Sequence, residues 1–249
     1  MITIKKLPPF TTSSQSGFTI IESLVAIIVV GILATAIAPV IALSVANRVQ
    51  ARRVEIAADA AKLYVQGIRS GTIEPAVSSI NDTRLNAIAA PTSAALTCDN
   101  QDYCTAPPAN LFCIDGDGDG ACTNNSLKDM IIQSAAYHPG AIAGLTDAER
   151  REKLDEGYLL GMRVYRADAF DGNRTLVAGQ VAASSTGGTG LRAQQAPLLE
   201  MTTEVVTGNT TFGELCASIF LANGGTLANV TSECSTTGGT PTPSPSTSP

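Results

Sequence analysis

Apolar and polar positions divide the chain into unequal stretches. Residues 1–17 are polar, carry Lys5 and Lys6, and end in Ser16-Gly17 after a Ser/Thr-rich run. From Ser23 to Ala46 there are 24 residues without a charge. At 1.5 Å per helical residue that run is about 36 Å long, more than the roughly 30 Å hydrocarbon core of a bilayer. Pro39 falls inside it, where it removes one backbone hydrogen bond and loosens or kinks the helix. Beyond the run the pattern turns amphipathic. Val45, Val49, Ile56, Ala60 and Leu63 recur at three- and four-residue steps, with Arg48, Arg52, Glu55, Asp59 and Lys62 mostly elsewhere. This predicts one helix over 18–70 whose apolar stripe packs on a sheet. Gly67 and Gly71 are candidate stops, and Pro75 opposes continuation.

Residues 72–125, rich in Ala, Pro, Asn and Asp, read as a long crosslinked loop region. Thr146-Asp147-Ala148-Glu149 is a capping box that opens a short charged helix to about residue 156. Strands are expected at 158–167, 175–183 and 198–206, the first alternating through Leu160, Met162 and Val164, the last rich in β-branched residues. A short helix is expected over 212–220. Gly187-Gly188-Thr189-Gly190 lacks the Lys of a phosphate-binding loop and reads as a flexible connection. From Thr236 onward only Thr, Pro, Ser and Gly occur, the composition of a disordered tail. Four segments result: 1–17, 18–70, 71–235 and 236–249. A helix first and strands later predict an α+β fold, the long helix laid on an antiparallel sheet.

The net charge of −6 and pI near 4.8 argue against a nucleic-acid surface. Aromatics are 4% of the chain and Trp is absent, which argues against stacking platforms for bases or sugars. Six cysteines fall in three close pairs beyond the apolar run: Cys98 and Cys104, Cys113 and Cys122, Cys216 and Cys234. With one histidine in the chain they read as disulfides of an oxidising compartment rather than zinc ligands. Neighbour pairing is the expectation among the 15 pairings that six cysteines allow. Lys5 and Lys6 precede the apolar run while Arg48, Arg52 and Arg53 follow it, so the positive-inside rule leaves orientation open.

Three readings of the N-terminus compete. A secretory signal peptide would be cut after Ala34-Thr35-Ala36, but Glu22 then heads its apolar region. A plain anchor leaves Gly17-Phe18 and Glu22 unexplained, and a carboxylate at that position is costly in lipid. The third rests on Gly17-Phe18-Thr19-Ile20-Ile21-Glu22-Ser23-Leu24, which resembles the cleavage and methylation motif of type IV prepilins and pseudopilins. The resemblance implies cleavage by a prepilin peptidase between Gly17 and Phe18, N-methylation of Phe18, and a need for Glu22 in assembly. It also implies a type IV pilin-like fold, and as partners other pilin-like subunits and an inner-membrane assembly platform. The chain would then be a single-pass inner-membrane protein whose head lies in the periplasm or outside the cell. The 216–234 stretch resembles the disulfide-closed segment of many pilins.

Three further stretches narrow the resemblance: Arg48-Val49-Gln50-Ala51-Arg52-Arg53-Val54-Glu55, Gly161-Met162-Arg163-Val164-Tyr165-Arg166-Ala167-Asp168-Ala169-Phe170, and Leu199-Glu200-Met201-Thr202-Thr203-Glu204. With the aspartate loop they are similar to the hormogonium polysaccharide secretion pseudopilins of filamentous cyanobacteria. That likeness implies a link to polysaccharide export and gliding motility.

One stretch of the head carries site chemistry. Asp115-Gly116-Asp117-Gly118-Asp119-Gly120 matches the first half of a calcium loop, with Asp115, Asp117 and Asp119 as side-chain ligands and the Ala121 carbonyl as a fourth. The twelfth position, where an EF-hand has Glu, is Ser126, and Asp129 is the nearest carboxylate downstream. An exposed Asp-Gly turn is the alternative. His138, the sole histidine, has no partnered nucleophile in the sequence, and no catalytic constellation is legible. A structural assembly subunit is therefore the first functional reading. A membrane-tethered binding module that does not polymerise is the second.

Overall fold

A computed structural model describes residues 17–105, 110–138, 142–172, 174–179, 194–222, 225, 229–230 and 234. The leader with Lys5 and Lys6, the Gly187–Gly190 run and the 236–249 tail lie outside the described residues. Helix α1 is continuous from Ile20 to Ser70, through Pro39. Thr19 starts it, its hydroxyl accepting from the Glu22 amide at 3.3 Å. It ends as expected at Gly71, whose φ of 72° suits a residue without a Cβ, while Gly67 O accepts the Thr72 amide at 2.9 Å.

The chain divides into two units, Met1–Ala46 and Asn47–Pro249. In the first, the apolar helix is long enough to cross a membrane and none of its most apolar stretch is buried within the subunit. In the second, α1 buries Ala57, Ala60, Ala61, Tyr64, Val65 and Ile68. That face differs from the expected stripe: Ala60 is on it and Ile56 is partly buried, but Leu63 and Val49 are exposed. The face that meets the sheet instead carries three alanines together with Tyr64, Val65 and Ile68.

The rest of the second unit is built on one sheet. Strand β1 is Ile80–Asn81, β2 Cys98–Asp99, β3 Leu111–Ile114, β4 Ala121–Cys122, β5 Met130–Tyr137, β6 Tyr158–Arg166 and β7 Leu199–Val205. Strand β5 is central. One of its edges pairs antiparallel with β6, which pairs antiparallel with β7; the other edge is shared by β3, antiparallel, and β1, parallel. Strands β2 and β4 form a separate antiparallel pair. The α+β arrangement is thus the expected one.

Three details correct the expectation. The 72–125 region contains strands β1 to β4, so it contributes to the sheet rather than only looping over it. Strand β5 was not expected at all. All eight of its residues are buried, and a strand covered on both faces need not alternate. Residues 174–179 form no strand: the Val177 carbonyl accepts from Tyr165 Oη at 3.0 Å, and its amide donates to Gln195 O at 2.9 Å. Residues 180–183 of that expected strand lie outside the described residues.

Both sheet faces are covered. Met130, Ile132, Leu160, Met162 and Val164 meet the buried face of α1, where Tyr64 Oη donates to Ser134 Oγ at 2.9 Å and lies 2.8 Å from Tyr103 Oη. On the opposite face Ile131 and Tyr165 join Phe170 and the cysteines Cys98, Cys104, Cys113 and Cys122. Disulfides join Cys98 to Cys104, Cys113 to Cys122 and Cys216 to Cys234. Helix α2, Asp147–Leu154, opens with the Thr146–Glu149 capping box, and α3 is Phe212–Ala222.

Arg163 holds the second face together. It is fully buried on β6, and its guanidinium donates to Leu85 O at 2.6 Å, Ile88 O at 2.8 Å and Glu200 Oε2 at 3.1 Å. Gly161 lets this loop sit close, since a Cβ there would come within 2.7 Å of Leu85 Cβ. Arg163→Ala removes the guanidinium donor from the Leu85 and Ile88 carbonyls and from Gln133 Oε1, and takes from Glu200 its charged partner. We expect it to lower unfolding free energy by about 3–5 kcal/mol, measured by urea denaturation of the full chain in detergent. A loss below 1 kcal/mol would show that the guanidinium is not the strut.

Candidate functional site

The processing motif lies at the start of α1. Gly17, Phe18 and Thr19 precede the first helical residue, Ile20, and are exposed. The Gly17–Phe18 bond is therefore outside the helix. No atom lies within 4 Å of a Cβ built on Gly17, and Phe18 is 81% exposed. Glu22 is in the first helical turn, where the unsatisfied amides and the helix dipole favour a carboxylate.

The aspartate loop lies between β3 and β5 and is knitted by its own backbone. Asp115 Oδ1 accepts from the Asp117 amide at 3.0 Å and the Gly118 amide at 2.6 Å, and Oδ2 from the Gly120 amide at 2.7 Å. These amides, Gly118 first, hold its carboxyl below the usual carboxylate range. Gly118 and Gly120 have φ of 86° and 98°, which glycine adopts without strain. Gly116 lies so close to the Lys128 carbonyl that no Cβ fits.

Folding adds one carboxylate that the sequence reading left out of the ligand set. Asp129, fully buried where the chain enters β5, accepts from the Gly116 amide and the Thr123 amide, each at 3.1 Å. One oxygen each from Asp115, Asp117 and Asp129 lie within 4.8 Å of one another. Asp119 is outside this group and accepts the Ala121 amide at 3.0 Å; Ala121 itself begins β4. Ser126, the residue at the twelfth position, donates to Asp117 Oδ2 at 2.7 Å. The signal for Asp129 was its place just before the apolar run Met130-Ile131-Ile132. A carboxylate there is buried as the strand forms.

Three carboxylates this close repel one another, and among the described residues none is ion-paired with a Lys or Arg. An all-oxygen donor set of three carboxylates suits a hard divalent cation such as Ca²⁺. His138 is elsewhere: buried at the end of β5, 3.3 Å from Glu156 Oε2, with burial lowering its pKa. Lowering its pKa favours the neutral ring, so its contact with Glu156 is a polar contact of a packed side chain.

Residues 12–38 match the family model described as the prokaryotic N-terminal methylation motif. No curated protein and no solved structure matches the chain. The motif supports a type IV pilin-like subunit, and with the apolar helix it fits a single-pass, membrane-anchored protein.

The depressed pKa of Asp115 gives a prediction that needs no metal. Its charged form is favoured in the fold, so its contribution is present above the unfolded pKa, near about 4, and is lost as pH falls through the lower folded value. In chelator at neutral pH, Asp115→Asn should melt below wild type, and the gap should close as pH drops under about 4. Melting curves across pH test this, and a gap that is constant with pH would assign the loss to shape alone.

Proposed function

We propose that this chain is a structural pseudopilin subunit of a type IV pilus-like or type II secretion-like envelope filament. A prepilin peptidase removes its leader, the apolar half of α1 holds it in the inner membrane before assembly, and the second unit forms the extracytoplasmic head. The observation that carries this is the Gly17-Phe18…Glu22 motif, which straddles the start of a helix with an apolar first half. A plain tether needs neither the junction nor the carboxylate. Its role is structural: the motif belongs to assembly subunits rather than to enzymes.

The link to polysaccharide export and gliding motility rests on the three head stretches given above. They fall on α1 where it enters the head, on β6 with the turn after it, and on β7. Strand β6 is buried throughout, which restricts the choice of residues, whereas Leu199–Glu204 of β7 is only partly buried. We also propose that Asp115, Asp117 and Asp129 bind Ca²⁺. The ion would offset their mutual repulsion and tie the loop to the start of β5.

Cleavage after Gly17 removes 17 of 249 residues, so mass spectrometry should find a 232-residue chain beginning with methylated Phe18. Glu22→Ala should still be cleaved and inserted but should assemble poorly. A chain starting at Ile37 would instead establish a secretory signal peptide.

Calorimetric titration of the full chain in detergent should show Ca²⁺ binding with Kd of about 10⁻⁴ to 10⁻³ M, since no bidentate Glu is available. Asp117→Ala should lower the melting temperature in calcium and leave it nearly unchanged in chelator, as mass action requires. An absence of binding heat and of any calcium-dependent melting shift would leave the aspartates as a hydrogen-bonded turn.

A further inference from the structure

Charge is partitioned unevenly over the head. Residues 98–129, the lobe stapled by two disulfides, hold six aspartates and one lysine, a net charge of −5 in a chain of −6. Residues 47–70, the part of α1 in the same unit, hold five basic and two acidic residues, a net charge of +3. Among the described residues no ion pair joins the two patches. Within α1, Arg52 is paired with Glu55 and Lys62 with Asp59, both exposed pairs one turn apart, and Arg48 is exposed with no ion pair. Val49 beside them is 44% exposed. In the lobe Asp99, Asp102, Asp117 and Asp119 are exposed, and none is ion-paired.

We propose that the exposed arginine face of α1, centred on Arg48 and Arg52, docks the acidic lobe of a second copy of this chain through Asp99 and Asp102. The occupant follows from charge complementarity. One subunit carries both halves of an attractive pair, and among the described residues no ion pair joins them. A contact between two unlike patches of identical subunits is heterologous, and when its rotation does not close it generates a helical filament. The inference rests on the filament reading and adds which surfaces meet. Each exposed ion pair is weak by itself, but the contact recurs at every subunit and sets register and partner choice. Cation binding at Asp115, Asp117 and Asp129 lowers the negative charge of the lobe without removing it, because Asp99 and Asp102 lie outside that group.

The test is a charge swap in the full chain, in cells that make the filament. Three variants are compared: R48E/R52E, D99K/D102K and the fourfold swap. The readout is the fraction of each released by shearing, against the fraction retained in the membrane. Each double variant should lose about tenfold of its sheared fraction, and the fourfold swap should return to within about twofold of wild type. Melting curves and non-reducing peptide maps report whether each variant folds. If D99K/D102K does not, D99K with R48E gives the same comparison.

A fourfold swap no better than the doubles would overturn the proposal. That result is expected if the arginines meet lipid phosphate, which no substitution in the lobe can restore. Unchanged doubles would overturn it too. If wild type itself is absent from sheared material, the filament reading fails first and this contact falls with it.

Discussion

Packing of α1 on the β5–β6 pair is the contact on which the rest of the head depends. Ala57, Ala60 and Ala61 join Ile132, Leu160 and Met162 in one buried cluster, and Tyr64 reaches from the same face to Ser134 and Tyr103. Tyr103 Oη in turn donates to Glu74 O at 2.9 Å, so one hydroxyl cluster joins the helix, the strand after the aspartate loop and the loop that follows the helix. A buried hydroxyl must be hydrogen-bonded; here Tyr64 donates to Ser134, while Tyr103 donates to the Glu74 carbonyl and accepts from the Ala76 amide. Burial pushes the Tyr64 phenol well up in pKa, which keeps it a neutral donor throughout the physiological range.

From that contact the stapled lobe gains its position. Tyr103 and Phe112 stack edge to face at 5.1 Å, and Phe112 lies 5.0 Å from the Tyr64 ring, so the lobe is gripped by the same helix that the sheet grips. The Cys113–Cys122 bridge closes the aspartate loop at its base. Its two ends are therefore held together by a covalent link, which lowers the conformational freedom of the residues between them. Asp129 completes the arrangement because β5 must be buried for the sheet to form, and the residue at its entrance is drawn in with it.

Much of this was legible in the sequence, for identifiable reasons. Helix α1, its stop at Gly71, the Thr146 cap, and strands β6 and β7 carry strong local signals: a long apolar run, a glycine at positive φ, a capping box, a dense alternation. Strand β5 carries none, since Met130-Ile131-Ile132-Gln133-Ser134-Ala135-Ala136-Tyr137 is neither alternating nor β-branched throughout. Only its position between two other strands makes it one. The buried face of α1 differs from the expected one because Leu63 and Val49 outweigh alanine in hydropathy, while the face that meets the sheet carries Ala57, Ala60, Ala61 and Tyr64. At the aspartate loop, Asp115 and Asp117 follow the local spacing. Asp129 enters only through tertiary structure.

Glu22 has two explanations, and their magnitudes decide between them. It stands in the first turn of α1, behind a Thr19 cap, so the helix itself favours a carboxylate there. That effect is worth about 0.3–1 kcal/mol at exposed sites. Moving a carboxylate toward hydrocarbon costs about 2.5–3.5 kcal/mol on insertion scales at the bilayer centre, and less near the surface. At the membrane surface, then, the cap and the headgroup region suffice, and an unassembled subunit is tolerated. Deeper burial among the helices of a filament removes the water that made it tolerable, and the cap no longer offsets the cost. A carboxylate in that setting needs a cation. On the proposed reading, a cut at Gly17–Phe18 would create one: a new amino group four residues before Glu22, which a neighbouring subunit's carboxylate could meet on leaving water.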